Sequence, residues 1–397
     1  MNIAIFTGFL FTLASVWGKP VADNPFPSFQ VQLLSQALEE YKKIAASQTW
    51  SDLPEDICLR PGETNQFILG LRNNLILTGD LKSLGTSSVF LFDDTLTLAV
   101  KRFQQRHGLR PDGIVGSQTL LALNTSPDER VRQIELNLAR WQQIPFDAYP
   151  LVLINIPDFS LQLIDNAEEV VWQTKVIVGQ TAKAYRTALI NSQIKYLVVN
   201  PTWNITNSII RNEIIPMLKK DPAYLARNHM TLFRVEGSRK ILVRANTVNW
   251  NKADSDRDKF MIIQQAGTHN SLGRIKFIFP NSYDQYLHDT PAKSLFNHPV
   301  RTYSHGCVRV QQPEILAAYL LNENWEPPLK PFGLTKYKSV DKIIYLPAPL
   351  TIRIAYFTAW VDGKGVLQFR PDIYQLDKKG NTQPPEISAQ AFDSTPD

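Results

Sequence analysis

The chain has 397 residues, of which 44% are hydrophobic and 20% charged, so it is long enough for two or three domains with a substantial core. Its formal net charge is +5. The charges are dispersed, without the basic runs and interleaved aromatic residues that nucleic-acid binding requires, so we expect a folded globular protein with no nucleic-acid partner.

The first 18 residues are typical of a signal peptide. Residues 2–16 are largely apolar and too short to span a bilayer comfortably, and small residues follow at a spacing compatible with cleavage. We predict a signal peptide over residues 1–18, export, and no stable membrane span after cleavage. A retained anchor or an incorrectly assigned start is the alternative, because no Lys or Arg precedes the apolar stretch.

A helical pattern follows the predicted signal. Apolar residues recur at helical spacing over residues 28–47, and residues 50–61 indicate a connecting turn region. We assign residues 25–85 to a helical scaffold. Within it, Cys58 lies between Ile57 and Leu59, and we expect it to be a small core residue.

The helical pattern is clearest over residues 89–124. Glycine in His107-Gly108-Leu109 predicts a helix end, and Asp112-Gly113 marks a tight turn before a second helix from Ser117 to Leu123. This unit closely resembles the peptidoglycan-binding domain of wall hydrolases, and the resemblance implies peptidoglycan glycan strands as a partner. The alternative is a small helical spacer whose apolar residues only form its own core.

A connecting helix is predicted over residues 126–145, because Ser126 and Glu129 form the pattern of a capping box. After Pro150 the hydrophobic period becomes extended, which predicts a mainly β domain over residues 150–375. Residues 205–258 interrupt this pattern, and we predict a helical insertion that acts as a substrate lid. The tail at 382–397 is expected to be disordered.

The segment Ser304–Arg309 presents a thiol in a polar, glycine-containing setting, which makes Cys307 a candidate nucleophile. His288, 19 positions upstream, is the candidate base. Two alternatives stay open: a Cys58–Cys307 disulfide would consume the thiol, and His288, His305 and Cys307 could in principle bind zinc. Ser192–Lys195 and Ser339–Lys342 match the short S-x-x-K pattern of serine acyltransferases, but no K-T-G companion accompanies them.

His-Asp-Thr-Pro at residues 288–291 together with Ser-His-Gly-Cys-Val-Arg at 304–309 resembles the active-site signature of the YkuD-type L,D-transpeptidases. Residues 200–203, 270–277 and 358–362 resemble segments of the large periplasmic branch of that family. The resemblance implies an α+β fold, with a mainly β catalytic domain like the YkuD β-sandwich, a helical insertion, a small all-α peptidoglycan-binding domain and a helical N-terminal scaffold.

Carried over position by position, the resemblance implies roles for eight residues. The catalytic ones are Cys307 as nucleophile, His288 as proton donor and acceptor, Gly306 as a backbone oxyanion donor and His305 as an auxiliary residue. The substrate-binding ones are Ser304, Arg309, Asn270 and Trp203. His305 could equally order the loop, and Arg309 could form an ordinary structural salt bridge. Residues 264–269 and 185–188 depart from the family pattern, which puts in doubt the shape of nearby substrate-contacting loops.

The implied function is L,D-transpeptidation in the periplasm. The enzyme would join third residues of two peptidoglycan stem peptides through a cysteine acyl-enzyme and release terminal D-alanine. No cofactor and no metal are expected, and carbapenems are expected to inhibit covalently. The alternatives are an L,D-carboxypeptidase, a transpeptidase that anchors proteins to the wall, and a non-catalytic peptidoglycan-binding protein.

Overall fold

The computed structural model describes residues 29–85, 88–144, 148–250, 260–321 and 331–378. The predicted signal peptide, the tail at 382–397 and residues 251–258 of the predicted insertion lie outside these ranges. The fold is α+β, with helices in the first third and strands dominating the rest. Within the described ranges, no helix has the length and apolar character needed to cross a membrane.

Five helices form the N-terminal part of the described chain: α1 Gln30–Ser47, α2 Ile68–Leu77, α3 Asp94–Arg106, α4 Ser117–Leu123 and α5 Pro127–Gln143. Local capping sets their starts. The Asp93 side chain accepts a hydrogen bond from the Leu96 amide at the start of α3. The predicted capping box is present at the start of α5, where Ser126 and Glu129 bond each other's backbone amides.

These helices divide between two cores, which differs from the predicted division into scaffold and module. Helix α1 packs against α5, in a core that includes Leu34, Ile134 and Phe357. Helix α2 shares a core with α3 and α4 instead. The helical module therefore includes residues before 89. This division was not visible in the sequence because it depends on which apolar faces meet.

The prediction for Cys58 is wrong, because its side chain is exposed. Leu59 pairs with Val115 in an isolated antiparallel bridge and is fully buried. Successive side chains of an extended segment point to opposite sides, so the inward position of Leu59 directs Cys58 outward.

The strands and remaining helices that the structure describes are β1 Leu151–Asn155, β2 Ser160–Ile164, β3 Val170–Gly179, β4 Ile190–Val199, β5 Trp203–Asn204, α6 Asn207–Ile209, α7 Ile215–Lys220, α8 Tyr224–Arg227, β6 Met230–Glu236, β7 Arg239–Val243, β8 Phe260–Gln264, β9 Ile275–Ile278, β10 Leu287–His288, β11 Thr302–Ser304, β12 Val308–Val310, α9 Pro313–Leu321, β13 Lys342–Ala355, β14 Ala359–Val361 and β15 Leu367–Phe369. Short 3₁₀ segments occur at Lys183–Tyr185, Ala245–Thr247, Lys293–Asn297 and Leu334–Lys336.

Nine of these strands form the main sheet, in the order β11-β3-β12-β10-β9-β4-β13-β1-β2. Strand β2 also pairs with β3, so the sheet closes on itself around an apolar core. Helix α9 belongs to the same core, through Leu316 and Leu320. The closed sheet gives β9, β10 and β12 fixed neighbours on both sides, which holds them rigidly as a platform for a site.

The predicted insertion is a mixed α/β unit rather than a helical one. It contains a second sheet with the order β5-β8-β6-β7 and a helical stretch in which a π-helical turn, Ile210–Ile214, joins α6 to α7. Alternation along β6 and β8 turns Leu232, Phe260 and Ile262 toward the helices, where they form a separate core. The sequence pattern at Phe260–Gln264 predicted a strand, but this strand belongs to the insertion and not to the main sheet.

Candidate active site

The register of three neighbouring strands places a set of polar side chains on one face of the main sheet. Leu287 of β10 pairs with Val308 of β12 and with Phe277 of β9, and all three side chains are buried in the core. Because side chains alternate along a strand, the residues on either side of them point away from that core. We call these residues the reactive face: Lys276, Tyr286, His288, Cys307 and Arg309.

Cys307 is half-buried on the reactive face. Its Sγ atom receives hydrogen bonds from the backbone N–H and the hydroxyl of Tyr286 and lies 4.0 Å from the Asp284 carbonyl oxygen. Burial raises the pKa of the Cys307 thiol to about 11, although the Tyr286 donors and the Arg309 charge act in the opposite direction. At neutral pH the resting sulfur is therefore protonated and needs a base.

His288 is buried, and its Nδ1 atom lies 2.5 Å from the Asp289 carbonyl oxygen. This carbonyl accepts a hydrogen bond from Nδ1–H, which selects the tautomer whose unprotonated Nε2 atom can accept a proton. Burial, together with the charges of Arg309 and Lys276, lowers the pKa of His288 to about 3. The imidazole is therefore neutral at physiological pH, as a general base must be.

His288 and Cys307 lie on adjacent parallel strands. His288 is opposite Arg309, and Tyr286 lies opposite Cys307, where its carbonyl accepts the Val308 amide. Cys307 is therefore the diagonal neighbour of His288 on the same face, on strands roughly 4.8 Å apart. The residue types and their placement suit nucleophilic attack by sulfur with imidazole as the base.

Gly306 shapes the turn before the nucleophile. Its φ of +116° lies in a region that glycine tolerates, and an added Cβ atom would stand 2.6 Å from the Gln285 Nε2 atom. The buried Ser304 accepts the Gly306 amide at Oγ (3.2 Å), and Thr187 donates to the Gly306 carbonyl (2.7 Å). The Gly306 amide, which we expected to hold an oxyanion, is thus already bonded within the loop. The buried Ser304 side chain hydrogen-bonds within the loop and is not exposed toward a substrate.

Asn270, a predicted substrate-binding residue, is bonded within the fold. Its side chain is fully buried. The amide group donates to the carbonyl oxygens of Pro201, Gln264 and Gln265, and the side-chain oxygen accepts the Leu272 amide. These bonds use the polar atoms of the side chain to hold the connection between the insertion and β9, and a substrate contact by Asn270 stays a prediction.

Trp203 reaches the reactive face indirectly. It lies at the start of the insertion, on β5, and its side chain hydrogen-bonds the Tyr286 side chain. Because an indole N–H can only donate, the Tyr286 hydroxyl is the acceptor. Tyr286 in turn bonds the Cys307 sulfur, so the insertion and the nucleophile share one hydrogen-bonded connection.

The insertion also contacts the loop that carries the nucleophile. Glu213, in the π-helical turn, forms a hydrogen bond with Nε2 of His305, two residues before Cys307. Its neighbour Asn212 donates to the Tyr185 hydroxyl (2.8 Å), and the Tyr185 ring meets His305 edge-on at 4.9 Å. We call these contacts the lid contact. His305 thus orders the loop against the insertion, which is one of the two roles expected for it.

Sequence reasoning did not assign roles to Tyr286, Lys276 or Glu213. The position of Tyr286 could have been inferred, because it lies two residues before His288 and side chains two residues apart in a strand point to the same face. Nothing in the sequence indicated Lys276 or Glu213, since their proximity to the site depends on the pairing of β9 with β10 and on the docking of the insertion.

Other expected or alternative sites can be located as well. Cys58 and Cys307 are both free thiols, so the alternative disulfide is not formed. The described residues include no cluster of three His, Cys, Asp or Glu side chains that could hold a metal. A cavity of about 1580 Å³ lies between α1, α3 and the β14–β15 hairpin and does not include the reactive face.

Comparison with known families gives two matches. Residues 149–330 match the YkuD family, described as "L,D-transpeptidase catalytic domain", and residues 79–123 match a family described as "Putative peptidoglycan binding domain". A Haemophilus influenzae protein named "Putative L,D-transpeptidase" is 32% identical over 260 residues, which are 65% of this chain and 50% of that protein. The chain thus spans about half the length of this curated relative.

Two solved structures show weaker similarity. An L,D-transpeptidase (Yku) from Stackebrandtia nassauensis is 15% identical, with a TM-score of 0.27, covering 75% of this chain and 94% of that one. A fused Zn-dependent amidase, peptidase and peptidoglycan-binding-domain protein from Clostridium acetobutylicum is 12% identical, with a TM-score of 0.19, covering 75% of this chain and 99% of that one.

Proposed function

We propose that this chain, in which residues 149–330 match the L,D-transpeptidase catalytic domain and residues 79–123 match a peptidoglycan-binding family, cross-links peptidoglycan stem peptides through a Cys307 acyl-enzyme. The placement of a neutral His288 diagonally beside Cys307 carries this proposal. The third residue of one stem would be joined to the third residue of another, with release of terminal D-alanine.

The first half-reaction transfers the acyl group to sulfur. His288 Nε2 takes the Cys307 proton while Sγ attacks the carbonyl of the third stem residue, and a C–S bond forms. The amide C–N bond then breaks, and the imidazolium returns its proton to the departing D-alanine amine. The products are a thioester on Cys307 and free D-alanine, with His288 neutral again.

The second half-reaction regenerates the thiol. The side-chain amine of a second stem's third residue attacks the thioester carbonyl, and His288 accepts a proton from that amine. The C–S bond breaks, an amide forms, and the proton passes from His288 to the Cys307 thiolate. This sequence needs neither a metal nor an oxidant.

The neighbours of Cys307 support the transient thiolate. The raised thiol pKa means that the thiolate is costly in the resting enzyme. Two Tyr286 donors and the Arg309 charge are already directed at the sulfur, so they stabilise the anion as soon as the proton moves. The Asp289 carbonyl stabilises the imidazolium that forms at the same moment.

The insertion supports amine attack over hydrolysis. Water in place of the second amine would make the protein an L,D-carboxypeptidase, and an amine on a protein would make it a wall-anchoring enzyme. The lid contact places the insertion against the loop of Cys307, where it would shield the thioester from water. We therefore place cross-linking ahead of these alternatives.

The cellular setting follows from the substrate. Peptidoglycan lies outside the cytoplasm, so we place the protein in the periplasm, exported by the predicted signal peptide. The peptidoglycan-binding domain would hold glycan strands near the catalytic domain. Carbapenems would acylate Cys307, because their strained amide carbonyl meets the same nucleophile.

The test uses purified protein with disaccharide tetrapeptides. Mass spectrometry should detect dimers that lack one D-alanine, and intact-protein mass should show one carbapenem adduct. Cys307→Ala should abolish both, whereas the matched change Cys58→Ala at the exposed thiol should abolish neither. Monomeric tripeptides alone would indicate a carboxypeptidase. Peptidoglycan binding without product or adduct would favour the non-catalytic alternative.

A further inference from the structure

Two cations of the reactive face form no direct ion pair within the described ranges, and the more distant Asp341 charge raises the pKa of Lys276 against the effect of burial. Lys276 lies against the Tyr286 ring, with Nζ 5.7 Å from its centroid, but forms no ion pair with any residue that the structure describes. Arg309 likewise forms no ion pair in the described ranges, and its Nε atom is buried without a hydrogen-bond partner. Both side chains are half-buried.

Such a pair is costly to maintain without a ligand. Burial lowers the pKa of both Lys276 and Arg309, which shows that the protein environment disfavours their charged forms. A buried cation that lacks an anion gains most when one is supplied, because the anion replaces lost hydration with charge-assisted hydrogen bonds. The geometry thus provides a place for an anionic group of the substrate.

The two cations flank the proposed proton donor. His288 of β10 pairs with Lys276 of β9 on one side and with Arg309 of β12 on the other. The three residues therefore form a row across the sheet, with roughly 4.8 Å between neighbouring strands. Cys307 lies immediately before β12, two residues from Arg309 and on the same face, so an acyl carbonyl on Cys307 would have its leaving group over His288.

The chemistry of the leaving group identifies the anion. His288 must reach the amide nitrogen of the departing residue, and the carboxylate of an amino acid lies only two bonds from that nitrogen. A terminal carboxylate on the departing residue is therefore held beside His288, where Lys276 and Arg309 stand on either side. A stem with one more residue would present a neutral amide at the same place.

We propose that Lys276 and Arg309 bind the terminal carboxylate of the donor stem. They thereby select stems in which the residue released by the reaction is the last residue of the peptide. This inference rests on the proposed function, because it assumes that His288 protonates that residue. Lys276 and Arg309 act here as specificity residues. The substrate carboxylate also supplies a negative charge next to Lys276 and Arg309, which form no ion pair in the free protein.

The test compares two donors that differ in one group: a tetrapeptide ending in D-alanine and the same peptide ending in D-alanine amide. We expect kcat/KM for D-alanine or D-alanine amide release to favour the carboxylate by about 10- to 100-fold. Lys276→Gln should reduce that ratio toward one by slowing the carboxylate donor more than the amide donor, and Lys276→Arg should restore most of it. Arg309→Gln should slow both donors, because Arg309 also stabilises the Cys307 thiolate, and should slow the carboxylate donor more. Lys195→Gln, at an exposed lysine of β4, is the matched control and should keep the ratio.

A binding measurement separates this inference from the proposed function. Cys307→Ala protein should bind the carboxylate peptide about 10-fold or more tighter than the amide peptide by calorimetry, with the preference lost in Cys307→Ala/Lys276→Gln. Equal affinities, or equal losses for both donors in the Lys276 and Arg309 variants, would overturn the inference. Absence of turnover with a retained carboxylate preference would instead reject the acyl-enzyme and leave the binding site supported.

Discussion

Two buried histidines lie in different parts of the molecule. Both rings are held in the same way, but different residues lie next to them. His288 on the reactive face and His107 at the end of α3 both direct Nδ1 at a backbone carbonyl oxygen, that of Asp289 at 2.5 Å and that of Phe103 at 2.7 Å. Burial lowers the pKa of both, and nearby arginine charges lower it further.

The difference lies in the neighbours of the ring. His107 is stacked between Phe103 (3.8 Å between centroids) and Phe369 of β15 (5.4 Å), so it joins the helical module to the sheet domain. His288 has the thiol-bearing strand beside it instead. Burial and a carbonyl partner therefore produce a neutral imidazole in either place, and only a nucleophile within reach gives that imidazole a chemical role.

Substitution of each histidine by glutamine should give the largest difference between the two sites. We expect His288→Gln to lower the rate of Cys307 acylation by a carbapenem by about 10³-fold or more, because the proton acceptor is lost. His107→Gln should leave this rate within about twofold and lower the midpoint of thermal unfolding instead. Stopped-flow acylation and thermal unfolding of both variants measure the two effects. Equal acylation losses would show that His288 has no catalytic role.

The helical side depends on a buried ion pair that the reactive face lacks. Asp80 bonds Arg106 at 2.6 Å, and both side chains are buried. Asp80→Asn leaves the Arg106 charge without compensation, so we expect a loss of about 3–5 kcal/mol in the free energy of unfolding. Urea denaturation measures it, with the exposed Glu135→Gln as a control expected to change less than about 0.5 kcal/mol. A loss below about 1 kcal/mol for Asp80→Asn would contradict the buried pairing.

Acid pH tests both histidines at once. An unfolded histidine gains a proton below its ordinary pKa of about 6.5, whereas native His288 stays neutral until about pH 3. The unfolded state thus binds more protons over this window, and stability falls as pH decreases through it. His288 should contribute about 2 kcal/mol of loss between pH 7 and pH 5, and His107 acts in the same direction. His288→Gln should remove its share from urea denaturation curves.

The same property predicts a contrasting activity profile. Because His288 remains neutral, carbapenem acylation should show no acid limb near pH 6.5 and should persist at pH 5 in protein that is still folded. An apparent pKa near 6.5 in the acylation rate would place His288 in a solvated environment and contradict the structure.

The smallest expected effect concerns the lid contact, which has no counterpart at His107. Glu213→Gln replaces the carboxylate that hydrogen-bonds His305, at a site where Glu213 is largely exposed. We expect the ratio of hydrolysis to cross-linking to rise by about two- to fivefold, with carbapenem acylation unchanged. Product mass spectrometry measures the ratio, and Glu236→Gln in the insertion is the control. An unchanged ratio would show that the lid contact does not shield the thioester.

Several helices and their caps could be predicted from local sequence patterns. The helix at Ser117–Leu123 and the capping box at Ser126 follow from caps and spacing within a few residues, and the structure contains both. The α+β class was confirmed by the structure and by the two family matches. Cys307 and His288 stood out through their neighbours in the chain, and their adjacency across β10 and β12 is consistent with the roles we propose.

The predictions that failed depended on distant contacts. Cys58 has apolar neighbours, but the bridge between Leu59 and Val115 decides which side chain points inward. The insertion was read as helical because Ile209–Leu218 dominates its pattern, whereas its sheet forms only when β8 returns to pair with β5 and β6.

The amino-acid sequence by itself determined the segments and their caps, because these depend on propensities and spacings along the chain, and its family resemblance made Cys307 and His288 the candidates for nucleophile and base. Tertiary structure alone decided that Lys276, Tyr286 and Arg309 surround the thiol, that Glu213 reaches His305, and that two histidines are held neutral. Strand register and burial set those relationships, and both arise only when residues far apart in the chain pack together.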